Sequence, residues 1–223
     1  MFNRALWYLR RRGLQCALVA SASVSLANAQ AVSTVRSGSF EIGGFAGASY
    51  GIDQFRVMGG GNVTFAAKKW LLPYAEFSYF PGIGRTQQEI FPSTGLPYTL
   101  HYAVPLTDFH GGVHIRLPIR ESPIVPYLAF GIGELHSSAT TIVATYQPVP
   151  GAPTVSTPPL PLAAGTNLAI NMGGGIRFYL SQRFGIRVEA KAYKPFGNMP
   201  GLVGNAPPEV FGKVEGGFFF QLR

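Results

Sequence analysis

Residues 167–193 read NLAINMGGGIRFYLSQRFGIRVEAKAY. Taking every second residue gives one oily set: Leu168, Ile170, Met172, Gly174, Ile176, Phe178 and Leu180, then Phe184, Ile186, Val188, Ala190 and Ala192. The other set holds Asn167, Asn171, Gly173, Gly175, Arg177 and Tyr179, then Arg187, Glu189, Lys191 and Tyr193. A helix would repeat its apolar positions every three or four residues, so a period of two means two strands joined by the turn at 181–183. Such a hairpin has two possible homes. In a soluble sheet the apolar face packs inward and the charged face meets water. In a membrane barrel the apolar face meets lipid and the charged face lines the lumen. The hairpin alone does not choose between them.

The first thirty residues narrow the choice. Arg4, Arg10, Arg11 and Arg12 precede an apolar run from Gly13 to about Leu26, and Ala27-Asn28-Ala29 follows. A basic start, an apolar middle and a small-x-small end make a secretory signal peptide, with cleavage expected after Ala29. The run is too short for a membrane span. We therefore expect a signal peptide at 1–29, a short N-terminal segment at 30–38 and a barrel domain at 39–223. Cys16, the single cysteine, falls inside the leader, so the exported part would hold together without disulfides. The formal charge of +8 shrinks too: without the four leader arginines, 14 Lys and Arg stand against 10 Asp and Glu. These charges are scattered and form no basic element, which argues against nucleic acid as a partner.

Eight period-two segments span the rest, roughly 39–50, 54–66, 70–80, 98–117, 123–136, 166–180, 184–194 and 209–222. No helical period competes with them, and 28 glycines and 18 prolines disfavour long helices. The connections alternate in length. AKK, PIRES and SQR are tight, whereas PGIGRTQQEIFPSTGLP, SSATTIVATYQPVPGAPTVSTPPLPLAAG and PFGNMPGLVGNAPP are long; only GID, after the first strand, breaks the rule. Short turns at one rim and long loops at the other are the anatomy of an outer-membrane barrel. The fold class expected is all-β: an eight-stranded antiparallel transmembrane up-and-down barrel with short periplasmic turns and longer extracellular loops. The segment YQPVPGAPTVSTPPLPL is expected to be an extended, mobile surface element.

The same alternation sorts the remaining strands. One face keeps Val57, Val63, Phe65, Leu71, Ala75, Phe77, Tyr79, Phe109, Val113, Ile115, Leu128, Phe130, Ile132, Val214, Phe218, Phe220 and Leu222. The other collects Arg56, Arg116, Arg177, Arg187, Lys191 and Lys213 against Glu41, Glu76, Asp108, Glu189 and Glu215, with His110, His114, Asn62, Asn167 and Asn171. Near-balanced charges interspersed with glycine suit a narrow lumen, where ions need partners and neighbours must leave room. Only 13% of the chain is charged, against about a quarter in soluble domains. Aromatics near strand ends (Phe40, Tyr50, Trp70, Tyr79, Tyr98, Phe184 and Tyr193) suggest interfacial girdles. A secreted sandwich or lipocalin-like barrel would explain export and strands, but neither the low charge nor the alternating loops.

With FEIGGFAGASYG at the first strand, PYLAFGIG at the fifth, MGGGIRFYLSQRFGIRVEAKAY at the sixth and seventh and GGFFFQL at the last, the chain resembles the OmpA-like or OmpX-like outer-membrane β-barrel domains of Gram-negative bacteria. Such barrels commonly finish on phenylalanine, whereas here Gln221, Leu222 and Arg223 follow Phe220. The resemblance implies an outer-membrane location, lipid around the barrel and contact with the barrel-insertion machinery during biogenesis.

The chemistry is sparse. Arg56, Glu76, Asp108, Arg116, Arg177, Arg187, Glu189, Lys191, Lys213 and Glu215 are expected to be structural lumen charges. No catalytic, cofactor-binding or metal site is expected. His110 and His114 stand four apart on one strand, about 13 Å, too far to share one metal ion. His136 and Ser138 form a His-x-Ser pair like that of outer-membrane lipid A deacylases, in which histidine activates serine for attack on an ester, with Glu134 as the candidate orienting acid. A strand-end histidine followed by loop serines explains the pair more simply, and Ser138→Ala separates the readings. The function expected is non-enzymatic: a surface-loop interaction, with an extracellular ligand, or an envelope-integrity role. A lipid-modifying hydrolase and a narrow porin-like channel are the alternatives.

Overall fold

The computed structural model describes residues 36–50, 55–82, 85–91, 95–117, 122–149, 151–196 and 210–222. The expected leader, the GID connection, most of the PIRES turn and most of the connection after Phe196 lie outside the described residues.

Period two dominates every strand. The strands are β1 (Phe40–Tyr50), β2 (Phe55–Phe65), β3 (Leu71–Phe80), β4 (Arg85–Ile90), β5 (Pro97–Tyr102), β6 (Leu106–Arg116), β7 (Ile124–Ser137), β8 (Thr140–Tyr146), β9 (Val155–Ser156), β10 (Leu160–Leu162), β11 (Gly165–Tyr179), β12 (Phe184–Pro195) and β13 (Phe211–Leu222). Eight of them, β1, β2, β3, β6, β7, β11, β12 and β13, close a barrel in the order of the chain. All their pairings are antiparallel, and β1 seals the barrel against β13, from Phe40 opposite Leu222 to Tyr50 opposite Gly212. No backbone edge is left open around the wall, which is what a strand structure in lipid requires.

The charged face turns inward. Arg187 is 1% exposed while its neighbour Val188 is 51% exposed, and the alternation runs unbroken from Phe184 to Lys194. Outside lie Ile42, Val63, Phe77, Phe109, Phe130, Ile132, Ile170, Ile186, Val214, Phe218 and Phe220. Barrel strands of 10 to 15 residues, tilted by roughly 45°, match the hydrocarbon thickness of a bilayer.

Three expectations need correction. The segment 98–117 is not one strand: β5 and β6 are separated at 103–105, where Ala103 and Pro105 lend their carbonyls to Thr140 Oγ1 (2.8 Å) and the Ser138 amide (3.0 Å). The proline-rich stretch after Tyr146 is paired: Val155–Ser156 and Leu160–Leu162 both add to β8. Two of the expected girdle aromatics stand elsewhere. Tyr193 is wholly buried in the lumen, stacked on Phe211 at 4.8 Å, because it has the parity of Lys191. Tyr98 sits beyond the barrel, stacked on Phe91 at 4.2 Å.

The non-barrel strands form one further sheet in the order β10-β8-β5-β4, with β9 also on β8. It grows from the long connections after β3 and β7, so it stands at the loop end. Its inner face packs down on the barrel mouth: Leu100, Ile142 and Leu162 cover a buried cluster of Tyr102, Val104, Leu106, Phe80, Leu135 and Phe211.

Candidate functional site

Two places concentrate chemistry: the lumen and the outer face of the loop sheet. In the lumen, six buried basic side chains (Arg56, Arg116, Arg177, Arg187, Lys191 and Lys213) meet five buried acids (Glu41, Glu76, Asp108, Glu189 and Glu215). Each comes from a position where period two points the side chain inward, and the wall brings them together from distant parts of the chain.

All but Arg56 fall into two groups. Near the turn end, Glu41 on β1 takes hydrogen bonds from both Arg116 on β6 and Arg177 on β11, and a third from Thr64 at 3.0 Å. Arg177 also lies 3.1 Å from His114 Nδ1 and 5.1 Å from the centre of the Tyr127 ring. In the middle, Glu76 on β3 receives Lys191 at 2.9 and 3.0 Å and Lys213 at 2.6 Å, with Arg187 at 3.5 Å. Arg187 bonds Glu215 at 2.7 Å, and Lys213 adds Ser78 at 2.8 Å. Glu189 pairs with Lys191 and accepts a hydrogen bond from Tyr127. Asp108 pairs with His110 and stands 3.6 Å from Lys213. Arg56 works at the mouth, where it donates to the Val104 carbonyl at 2.7 Å and so ties the wall to the segment folded over it.

Oxygens of Glu76, Glu189 and Glu215 lie within 4.8 Å of one another, a spacing that would suit a cation. Lys191, Lys213 and Arg187 already supply the positive charge among them. His110 and His114 belong to different groups, one beside Asp108 and the other stacked on Tyr74 at 4.2 Å. Asn62 and Asn171 are buried in the lumen, the latter accepting a hydrogen bond from Tyr74 at 3.2 Å.

Glycine makes the room. A Cβ on Gly175 would stand 2.7 Å from the Tyr127 hydroxyl, and one on Gly112 would stand 2.8 Å from the Tyr74 ring. Inward glycines therefore let the two tyrosines lie across the lumen and reach Glu189 and Asn171.

His136 and Ser138 stand at the loop end of β7. The His136 ring nitrogen Nδ1 is 2.8 Å from Thr166 Oγ1 across the β7–β11 pairing, while the Ser138 amide binds Pro105. Glu134 is exposed on the outer wall, opposite Phe109 and Leu168.

The site not anticipated from the sequence is the loop sheet. Its inner residues alternate with an outer row of Thr99, His101, Thr141, Val143 and Thr145. His101 lies at the centre, its Nδ1 3.4 Å from Thr86 Oγ1 on β4 and its Nε2 3.2 Å from Thr145 Oγ1 on β8. The result is a nearly uncharged face of hydroxyls held on a paired sheet.

No protein-family model and no curated protein matches the sequence. Solved structures do. A major outer membrane protein from Thermus thermophilus superposes with a TM-score of 0.56 at 11% identity, covering 84% of this chain and all of that one. Neisserial surface protein A gives 0.49 at 10% identity, over 82% of this chain and 97% of that one. Ail of Yersinia pestis gives 0.47 at 12% identity, over 84% and 100%. At such identity the likeness to the Thermus protein speaks for the fold alone: a closed eight-stranded barrel of the outer-membrane kind.

Proposed function

We propose that this chain is a small outer-membrane barrel without enzymatic activity that acts through the sheet it carries above its loop-end mouth. One observation carries the reading: ionic side chains occupy the inside of the wall while Ile, Val and Phe cover the outside. In water that arrangement would expose large apolar surface and bury ions, both at a cost; in lipid the apolar wall carries no such cost, and the lumen is where the ions find partners. The turn end faces the periplasm and the loop sheet faces out. The hydroxyl row around His101 is the contact surface, offering donors and acceptors to an extracellular ligand.

The interior argues against a solute pore. Arg177 and Arg116 reach Glu41, and Lys191 and Lys213 reach Glu76, from strands that are not neighbours in the wall, and the Tyr102–Val104 segment is tied over the mouth by Arg56. A narrow barrel filled in this way should pass no current in planar bilayers. The bonding of His136 to Thr166 supports the non-enzymatic reading, and Ser138→Ala is expected to leave lipid acylation unchanged.

The test combines fractionation with gel migration. The protein should appear in the outer-membrane fraction and run faster unboiled than boiled, because a closed barrel resists detergent. Thr145→Cys should react with an impermeant maleimide on intact cells. A single band of unchanged mobility in the soluble fraction would overturn the proposal.

A further inference from the structure

The charges left outside the lumen are unevenly placed. Among the described residues, every carboxylate lies in the lumen or at the loop end, where Glu89 and Glu134 stand. At the turn end the charged side chains outside the lumen are, among the described residues, Arg36, Lys68, Lys69 and Arg183, all basic. The turn at 118–121 lies outside the described residues.

These basic residues sit on well-held backbone. Lys68 and Leu71 exchange amide hydrogen bonds at 3.2 and 3.3 Å. Ser181 Oγ accepts the amides of Arg183 at 3.2 Å and Phe184 at 3.0 Å, and the Arg183 carbonyl accepts the Gln221 amide at 2.6 Å. Arg36 donates to Gln182 at 3.1 Å, which brings it to the same turn. Immediately above them on the outer wall lie exposed aromatic rings. Phe40 and Phe65 are 4.8 Å apart, Phe184 stacks with Phe218, and Lys68 lies 5.6 Å from the centre of the Trp70 ring.

An arc of cations bordering rings that face lipid is built for a headgroup: the rings set the depth, and the cations meet whatever charge lies there. We propose that this arc, Lys68, Lys69 and Arg183 with Arg36, selects anionic phospholipid headgroups at the turn-end leaflet. A phosphodiester in that position would meet several cations and no competing carboxylate among the described residues, whereas the loop end carries Glu89 and Glu134 outside the lumen. The inference rests on the membrane reading above.

Trp70 reports on the arc directly. The protein is purified from cell envelopes with Trp7→Phe, so that Trp70 is the sole indole whether or not the leader remains. It is reconstituted in phosphatidylcholine vesicles with a minor fraction of phosphatidylglycerol. Bromines are carried on the chains of one lipid or the other, at equal mole fraction. Brominated phosphatidylglycerol should quench Trp70 more strongly, corresponding to a local enrichment of about three- to tenfold at low salt. The preference should fade in high salt and vanish in the Lys68→Gln/Lys69→Gln/Arg183→Gln variant, whose unboiled gel mobility stays unchanged. Equal quenching by both lipids in the parent overturns the headgroup proposal and leaves the membrane reading standing. If neither lipid quenches, both fall.

Discussion

The residue that most repays attention is Glu76. It is buried on the inner wall and answers to three cations, Lys191, Lys213 and Arg187, so it is the hub of the middle group. Removing one partner from a buried ionic set is worse than never having built it, because the remaining charges keep their desolvation cost and lose their attraction. Glu76→Gln keeps the volume and removes the charge. We expect it to lower stability by about 3 kcal/mol, read as a fall in the urea midpoint of the barrel in lipid. Glu134→Gln, exposed on the outer wall, should shift it by less than about 0.5 kcal/mol. Equal losses would mean that the lumen network contributes little. At this scale the sequence was readable: parity alone sets Arg187, Glu189 and Lys191 on one side and Ile186, Val188 and Ala190 on the other. Partners were not readable. That Glu41 meets Arg116 and Arg177, 75 and 136 positions away, depends on how the closed wall curves, and no local pattern encodes it.

Among elements, the loop sheet is where local reading failed, for a definite reason. Leu100, Tyr102, Val104, Leu106 and Asp108 share one parity, and all of them turn toward the molecule's interior, first over the mouth and then within the lumen. Alternation thus continues through the break between β5 and β6, and only Pro105 marks it. The proline-rich stretch misled in the opposite direction. Pro161 lies in β10, which pairs with β8 at the rim of the sheet, where a missing amide costs little. The sheet's bonds run almost wholly among its own strands, and the barrel closes without it. Replacing 140–162 by a short Gly-Ser linker should therefore preserve the heat-modifiable gel shift. It should also uncover Leu100, Tyr102 and Val104, since Ile142 and Leu162 no longer pack on them. The cost expected is about 2–3 kcal/mol, seen as a lower temperature of conversion between the two gel forms. Loss of the fast-migrating form would show that the sheet is part of the barrel's own stability.

For the whole molecule the governing fact is the inversion of oil and charge, and a single outward substitution can interrogate it. Val188 lies on the outer wall in mid-strand, opposite Ile176 on β11 and Gly216 on β13. Phe40, also outward, lies at the turn-end rim, opposite Leu222 and Phe65. In a bilayer these positions differ in depth, so arginine at each should be penalised unequally: about 2–4 kcal/mol for Val188→Arg, near the midplane, and about 0–1 kcal/mol for Phe40→Arg at the interface, less its lost ring contacts. In water the two would resemble each other, because an arginine on an exposed wall costs little wherever it stands. Urea titrations of folding into liposomes supply the measurement, with the difference between the two variants as the readout. A gap of about 2 kcal/mol follows from lipid against the wall; equal, small effects would mean that the apolar belt is wet, and with it would go the reason for burying six cations and five carboxylates inside.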